Sequence, residues 1–188
     1  MRREDFSLRP IEESDLLKVL EWRNSEWIRA NMYTDHIISI DEHSAWLERI
    51  NKDETPTFMI FEFQWKPIGV VNVTQIDNRN NKCHWGFYMG EIGVPRGCGA
   101  IMGFMGLEYF FEKLNIRKIC SEVFAFNKAS IKYHKKLGFR EEGYFLKHIL
   151  KNGDYEDIVV FALLKDEWLK SKSELENICF HMGDICGK

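Results

Sequence analysis

Between Cys83 and Leu164 the chain runs strand, glycine-bearing loop, helix, strand, asparagine-opened helix, strand, tight turn, strand, and this order constrains the fold most. Cys83–Glu91 alternates as a strand, Ile92–Gly99 is the loop, and Ala100–Leu114 is a long apolar helix. That helix carries Met102, Met105, Tyr109 and either Phe110 or Phe111 near one face. Ile116–Phe124 is the next strand. Asn127–Leu137 is a helix with Asn127 as N-cap and Gly138 at its end. Phe139–Leu150 and Tyr155–Leu164 are strands joined through Asn152-Gly153, a strong hairpin signal. The first half supplies a strand at Phe6–Ile11 and a helix over Glu13–Asn24 with Leu16, Leu17, Leu20 and Trp22 as its apolar positions. Ser39-Ile-Asp-Glu42 is a capping box opening a second helix. Thr57–Phe63 and Ile68–Ile76 form a hairpin around Gln64–Pro67.

These elements predict one α/β domain, residues 5–168, with a central mixed, mostly antiparallel, twisted sheet flanked by helices. Residues 169–188 are polar and read as a mobile tail or a helix docked on a neighbour. A chain of 188 residues buries about 70% of its unfolded surface, so it folds without disulfides or a structural metal. The five cysteines are odd in number and form no CxxC pair, which reads as reduced thiols in the cytosol. Cys179, His181 and Cys186 lack the paired spacing of a zinc site, so no metal is expected. A net charge of −3 argues against a broad nucleic-acid footprint. No apolar run is long enough for a membrane span, and the start lacks a signal peptide's apolar region. A homodimer is a reasonable prior for an exposed apolar edge in the second half.

The loop Val94-Pro95-Arg96-Gly97-Cys98-Gly99-Ala100 lets backbone approach a ligand, and free N–H groups at a helix start suit a phosphate. There is no GxxxxGK[ST] and no GxGxxG opening a βαβ unit. Arg96-x-x-Gly99 resembles the pyrophosphate loop of the GNAT N-acetyltransferases, with Ile101 where that family has Gly or Ala. Asn127-Lys-Ala-Ser130-Ile-Lys-Tyr133-His134-Lys-Lys-Leu-Gly138-Phe139 is similar to the same family's N-x-x-[AS]-x-x-x-Y-x-x-x-G-F.

The resemblance covers roughly residues 5–168. It implies the GNAT fold, acetyl-CoA as co-substrate, and a pantetheine arm lying along Phe87–Ile92. Phe87, Tyr88, Met89, Ile92, Val94, Arg96, Gly97, Cys98, Gly99, Ala100, Ile101, Asn127 and Ser130 then bind the coenzyme. An oxyanion would be held by a strand N–H near Tyr88 or Met89. In the family a helix tyrosine protonates the departing thiolate. Aligning Gly138-Phe139 puts His134 at that position, and helix geometry sets Asn127, Ser130 and His134 on one face. His134 is the first candidate acid and neighbouring Tyr133 the second.

Glu21-Trp22-Arg23-Asn24, Met32, and His43 with Trp46 are similar to the first half of bacterial N-acetyltransferases acting on a UDP-linked 4-amino-4,6-dideoxy sugar in pseudaminic acid synthesis. That implies a nucleotide-sugar partner. Arg23 and Arg29 would hold phosphate charge, and His43 would add a hydrogen bond. Trp22, Trp46, Met32 and Phe87 would supply apolar surface. Asn24, Thr74 and Gln75 complete the acceptor set, with His84, Trp85 and Tyr88 as further candidates. His43, His84 and Glu91 are possible bases. Tyr155-Glu-Asp157 is shared too widely to discriminate. Three alternatives stand beside this reading: an acetyltransferase of protein N-termini, as in the ribosomal-protein branch; a polyamine acetyltransferase, which needs a strongly acidic pocket; and a non-catalytic acetyl-CoA sensor.

Overall fold

The computed structural model describes residues 1–52 and 57–180. Strand β1 (Phe6–Pro10) leads through a short 3₁₀ turn into helices α1 (Leu16–Asn24), α2 (Glu26–Arg29) and α3 (Ile40–Ile50). Strands β2 (Phe58–Phe63), β3 (Lys66–Asp77) and β4 (Lys82–Met89) follow. Then come α4 (Cys98–Glu108), β5 (Lys118–Phe124), α5 (Lys128–Lys136), β6 (Arg140–Lys151), β7 (Asp154–Leu164) and α6 (Lys165–Phe180). The seven strands form one sheet in the order β1-β2-β3-β4-β5-β7-β6. Every neighbouring pair is antiparallel except β4 with β5. The single-domain α/β expectation, with a mixed sheet between helices, is the architecture found.

Alternation along the strands divides the core. On β2 and β3, Ile60 and Val70 face α1 and α3, while Met59, Phe61, Val71 and Val73 face α4. Ser39 caps α3 by accepting from Glu42 N–H at 3.2 Å, as the capping box predicts. In α1 the buried residues are Val19 and Trp22, while Leu17 is exposed. Of the expected apolar positions Trp22 is buried and Leu16 packs on the same cluster, Leu20 is half-buried and Leu17 faces out, while Val19 takes the central buried place. Helix α4 is apolar on every side because it lies between the sheet and α6. The β2–β3 turn is tighter than read: Gln64 and Trp65 take left-handed φ of 50° and 66°, and Lys66 and Pro67 already belong to β3.

Residues after Trp168 do not form a separate tail within the described chain. Helix α6 runs across that boundary and docks on its own domain. Trp168 is fully buried against Phe104 and Phe111, and its indole N–H donates to Glu112 at 3.2 Å. Lys172 bridges Glu108 and Glu112, and Arg3 ties Glu108 to Glu176. His181 and Cys186 lie outside the described residues. Among the described residues no three His, Cys, Asp or Glu side chains cluster as metal ligands, and no helix is long and apolar enough to cross a membrane.

Candidate active site

Strands β4 and β5 pair only from Lys82–His84 to Lys118–Cys120. Beyond that point they part. Among the described residues no strand pairs the β5-facing edge of β4 at Phe87–Met89, and a cavity of about 900 Å³ opens beside it. Its floor is β3, β4 and β5, with Asn72, Thr74, Gln75, His84, Phe87, Tyr88, Met89, Ser121 and Glu122. One end meets α5 through Asn127, Ser130 and His134. The other is walled by Arg23, residues Asn31–Thr34 and α3.

The loop before α4, offered by the sequence as an anion cradle, turns sharply into the helix. Gly97 takes φ +99°, a left-handed turn that turns the chain into the helix. Cys98 N–H bonds Pro95 O at 3.3 Å and Ile101 N–H bonds Gly97 O at 3.1 Å. The N–H groups of Gly97, Gly99 and Ala100 take no backbone carbonyl among the described residues. A Cβ added at Gly99 would meet nothing within 4 Å, so the helix start is open at that point. Ile101 is fully buried in the core, so its size does not obstruct the loop; this resolves its departure from Gly or Ala. Cys98 also points inward at 1% exposure. Their contribution to the cradle is confined to backbone. Ile92 and Arg96 are exposed and Val94 half-buried along the same face.

Asn127 caps α5 by accepting from Ser130 N–H at 3.0 Å. The two candidate acids sit differently from expectation. Tyr133 points into the core, where its hydroxyl donates to Gly99 O at 2.6 Å, below the pyrophosphate loop. Burial raises its pKa further. It braces the loop and does not face the cavity. His134 is 1% exposed. Its Nδ1–H donates to Ser130 O at 2.8 Å, and its Nε2 accepts from Trp85 Nε1–H at 3.2 Å. Burial lowers its pKa to about 4. The ring is therefore neutral near pH 7, with its proton committed to a carbonyl. This corrects the expectation of His134 as the thiolate's acid.

The acceptor set also divides. Arg23, Met32, His43, Trp46, Thr74 and Gln75 line the cavity as expected. Asn24 does not: its amide closes a two-bond bridge to Ile38, donating to its carbonyl at 2.9 Å and accepting from its N–H at 2.8 Å. Trp22 is core, packed so tightly on Gly90 that a Cβ there would lie 2.1 Å from the indole. Glu91 is held by Lys18 at 2.6 Å and Trp22 Nε1–H at 3.1 Å, outside the cavity; those bonds hold its pKa down. It is not placed to serve as a base. Arg29 spends one guanidinium arm on Asp35 O at 2.8 Å and is not among the lining residues.

Two lining groups stand out electrostatically. Arg23 is half-buried and has no carboxylate partner among the described residues; burial lowers its pKa. His43 is 3% exposed and stacks on Trp46 with ring centroids 4.7 Å apart. Its backbone bond is to Leu16, while its Nε2 has no partner. Burial first, then the charge of Arg23, holds its pKa below the ordinary value. Nε2 is thus a buried polar atom on the cavity wall without a partner among the described residues. Sequence reasoning missed Tyr33 and Glu122, which bond across the cavity at 2.6 Å. A glutamate inside the apolar run Ile119–Phe124 was the available signal.

An open glycine cradle, an Asn-capped helix and a strand edge freed beside a cavity define an acetyltransferase that takes its acyl group from acetyl-CoA and delivers it to an amine. The model of the acetyltransferase (GNAT) domain matches residues 8–160, and the chain belongs to that family. The SPbeta prophage-derived uncharacterized N-acetyltransferase YokL of Bacillus subtilis is 31% identical over 169 residues, 88% of this chain and 93% of that protein. Spermidine N(1)-acetyltransferase of Vibrio cholerae is 23% identical, across 87% of this chain and 95% of that protein. Its crystal structure with CoA and spermine superposes with a TM-score of 0.82 at 22% identity, over 89% of this chain and 99% of that one. Acetyltransferase PseH of Campylobacter jejuni is 25% identical across 72% of this chain and 85% of that protein. None of these names specifies a nucleotide sugar.

Proposed function

We propose that the enzyme moves the acetyl group of acetyl-CoA directly onto the primary amine of a small molecule seated in the cavity between β4, β5, α3 and α5. The observation that carries this reading is the meeting of the unpaired β4 edge and the α5 N-terminus inside that one cavity. The acceptor arrives as an ammonium and gives one proton to solvent. Its nitrogen lone pair attacks the thioester carbonyl, and backbone N–H groups near Tyr88 and Met89 hold the oxyanion. The C–S bond then breaks. The proton lost by the attacking nitrogen offsets the thiolate's charge, so a dedicated protein acid is not required. Positioning supplies much of the acceleration.

For the acceptor, the named relatives support a polyamine. Glu42 and Glu122 line the cavity, and Trp27, Tyr33 and Trp46 offer aromatic faces to a cation. One observation favours a second reading, a UDP-linked 4-amino-4,6-dideoxy sugar. The cavity is balanced rather than strongly acidic, with Arg23 and Arg49 beside those carboxylates. An unpartnered Arg23 repels a polycation and suits a diphosphate. His43 Nε2 then accepts from a sugar hydroxyl or an amide.

A thiol-release assay with spermidine, the UDP-linked amino sugar and a Met- or Ser-starting peptide tests this. Turnover of spermidine or the sugar is expected. Preference for the peptide overturns the small-molecule reading, and silence on all three with acetyl-CoA still bound leaves a sensor. Arg23→Ala separates the two acceptors by sign. It raises KM about tenfold for a diphosphate sugar, and lowers KM for a polyamine by removing a like charge.

A further inference from the structure

The β6–β7 hairpin overhangs the sheet. Its pairing with β5 ends at Phe124 and Ile158, so the tip runs on without a neighbour in the sheet. There the strand is reshaped: residues 146–148 of β6 face only Asp157 of β7. Asp157 accepts from Lys147 N–H at 2.7 Å and from the Tyr144 hydroxyl at 2.8 Å, and Lys147 takes φ +47°. A bulge of this kind bends a hairpin. The bend brings Lys151 and Asn152 onto the outer wall of the acceptor cavity.

Lys151 is 5% exposed and makes no ion pair among the described residues. Its ammonium donates to Met32 O at 2.7 Å and Arg29 O at 3.2 Å, and lies 5.5 Å over the Phe124 ring. Beside it, Asn152 N–H donates to Asp35 at 3.1 Å. Arg29 ends α2, and the segment 30–39, which supplies Met32 O and the Asp35 carboxylate, has no helix or strand of its own. It nevertheless supplies Met32 and Tyr33 to the cavity. A buried ammonium without a carboxylate is costly unless its donors are used, and here they are used on that wall.

We propose that Lys151 is a positioning residue for the acceptor: from the bent hairpin tip it holds segment 30–38 in the shape that binds the amine, through the carbonyls of Arg29 and Met32. It touches neither the acetyl donor's cradle nor α5. The shape of the acceptor wall is therefore set by residues more than a hundred positions further along the chain.

Hydrogen exchange on the full chain tests this without knowledge of the acceptor. In Lys151→Met, amides of residues 30–38 should exchange about tenfold faster or more, while those of α4 and α5 keep their rates. Calorimetry should give wild-type affinity for acetyl-CoA. With spermidine or the UDP-linked amino sugar, whichever is acetylated, KM should rise about tenfold at near-constant kcat. Lys151→Arg, which keeps a cation with several donors, should restore most of both. Wild-type exchange in 30–38, or a fall in kcat at unchanged KM, overturns the proposal. If Lys151→Met fails to fold, Lys151→Gln, whose shorter amide cannot reach both carbonyls, takes its place, and unchanged exchange in 30–38 there is equally fatal. The KM limb depends on the acceptor readings above; the exchange limb does not, so the two fail separately.

Discussion

At His134 one imidazole meets two fixed partners, a carbonyl acceptor at Nδ1 and an indole donor at Nε2. Together they select a single neutral tautomer. The helical position matched a proton donor, but of the aromatic neighbours that enclose the ring Trp85 comes from β4 and Phe161 from β7, with Phe139 from the turn after α5. A prediction follows from linkage. The unfolded histidine titrates near 6.5 and the folded one near 4, so between those values only the unfolded chain binds the proton. Stability is full above pH 6.5 and falls as pH drops, by up to about 3 kcal/mol below pH 4. His134→Gln should flatten that part of the slope in urea unfolding at pH 5 and 7. It should also keep kcat within about tenfold of wild type, whereas loss of a true general acid costs 10²-fold or more; a loss of that size would return His134 to the chemistry.

Helix α6 shows what an element gains from its docking site. Its polar sequence carries few apolar positions, yet Trp168, Leu175, Cys179 and Phe180 all land on the core that α4 leaves exposed. Trp168→Ala should destabilise the fold by about 3–5 kcal/mol, seen as a shifted denaturation midpoint. A change under about 0.5 kcal/mol would mean the helix is a detachable tail. The elements that were legible share strong local signals: the Ser39 and Asn127 caps, the left-handed glycines at 97 and 138, and the Asn152-Gly153 turn. The docking of α6 was not legible, since it depends on the surface of α4, which is remote in sequence.

For the whole molecule, the proposed donor and acceptor sites meet where β4 parts from β5 after three paired residues. Acetyl-CoA binding to that arrangement and not to the unfolded chain should stabilise the fold. At a hundredfold excess over Kd the gain is about 2.7 kcal/mol, or roughly 5–10 °C in Tm for a chain of this size. Thermal unfolding with and without acetyl-CoA measures it, and an unchanged Tm at millimolar donor speaks against the cradle at Val94–Ile101.

The chain's own order of residues determined its family, its sheet-and-helix plan and the glycine turn before α4, because caps, turns and a glycine loop act within a few residues of themselves. Arg23, His43 and Trp46 were also within reach, as polar or aromatic residues on short helices. Only tertiary structure decided what surrounds them. It sent Tyr133 inward to Gly99, closed His134 between Ser130 and Trp85, spent Asn24 on Ile38, and brought Lys151 from a distant hairpin to the acceptor wall. Hydrogen-bond partners and burial set the role of a polar side chain, and both come from strands and helices that sequence spacing does not bring together.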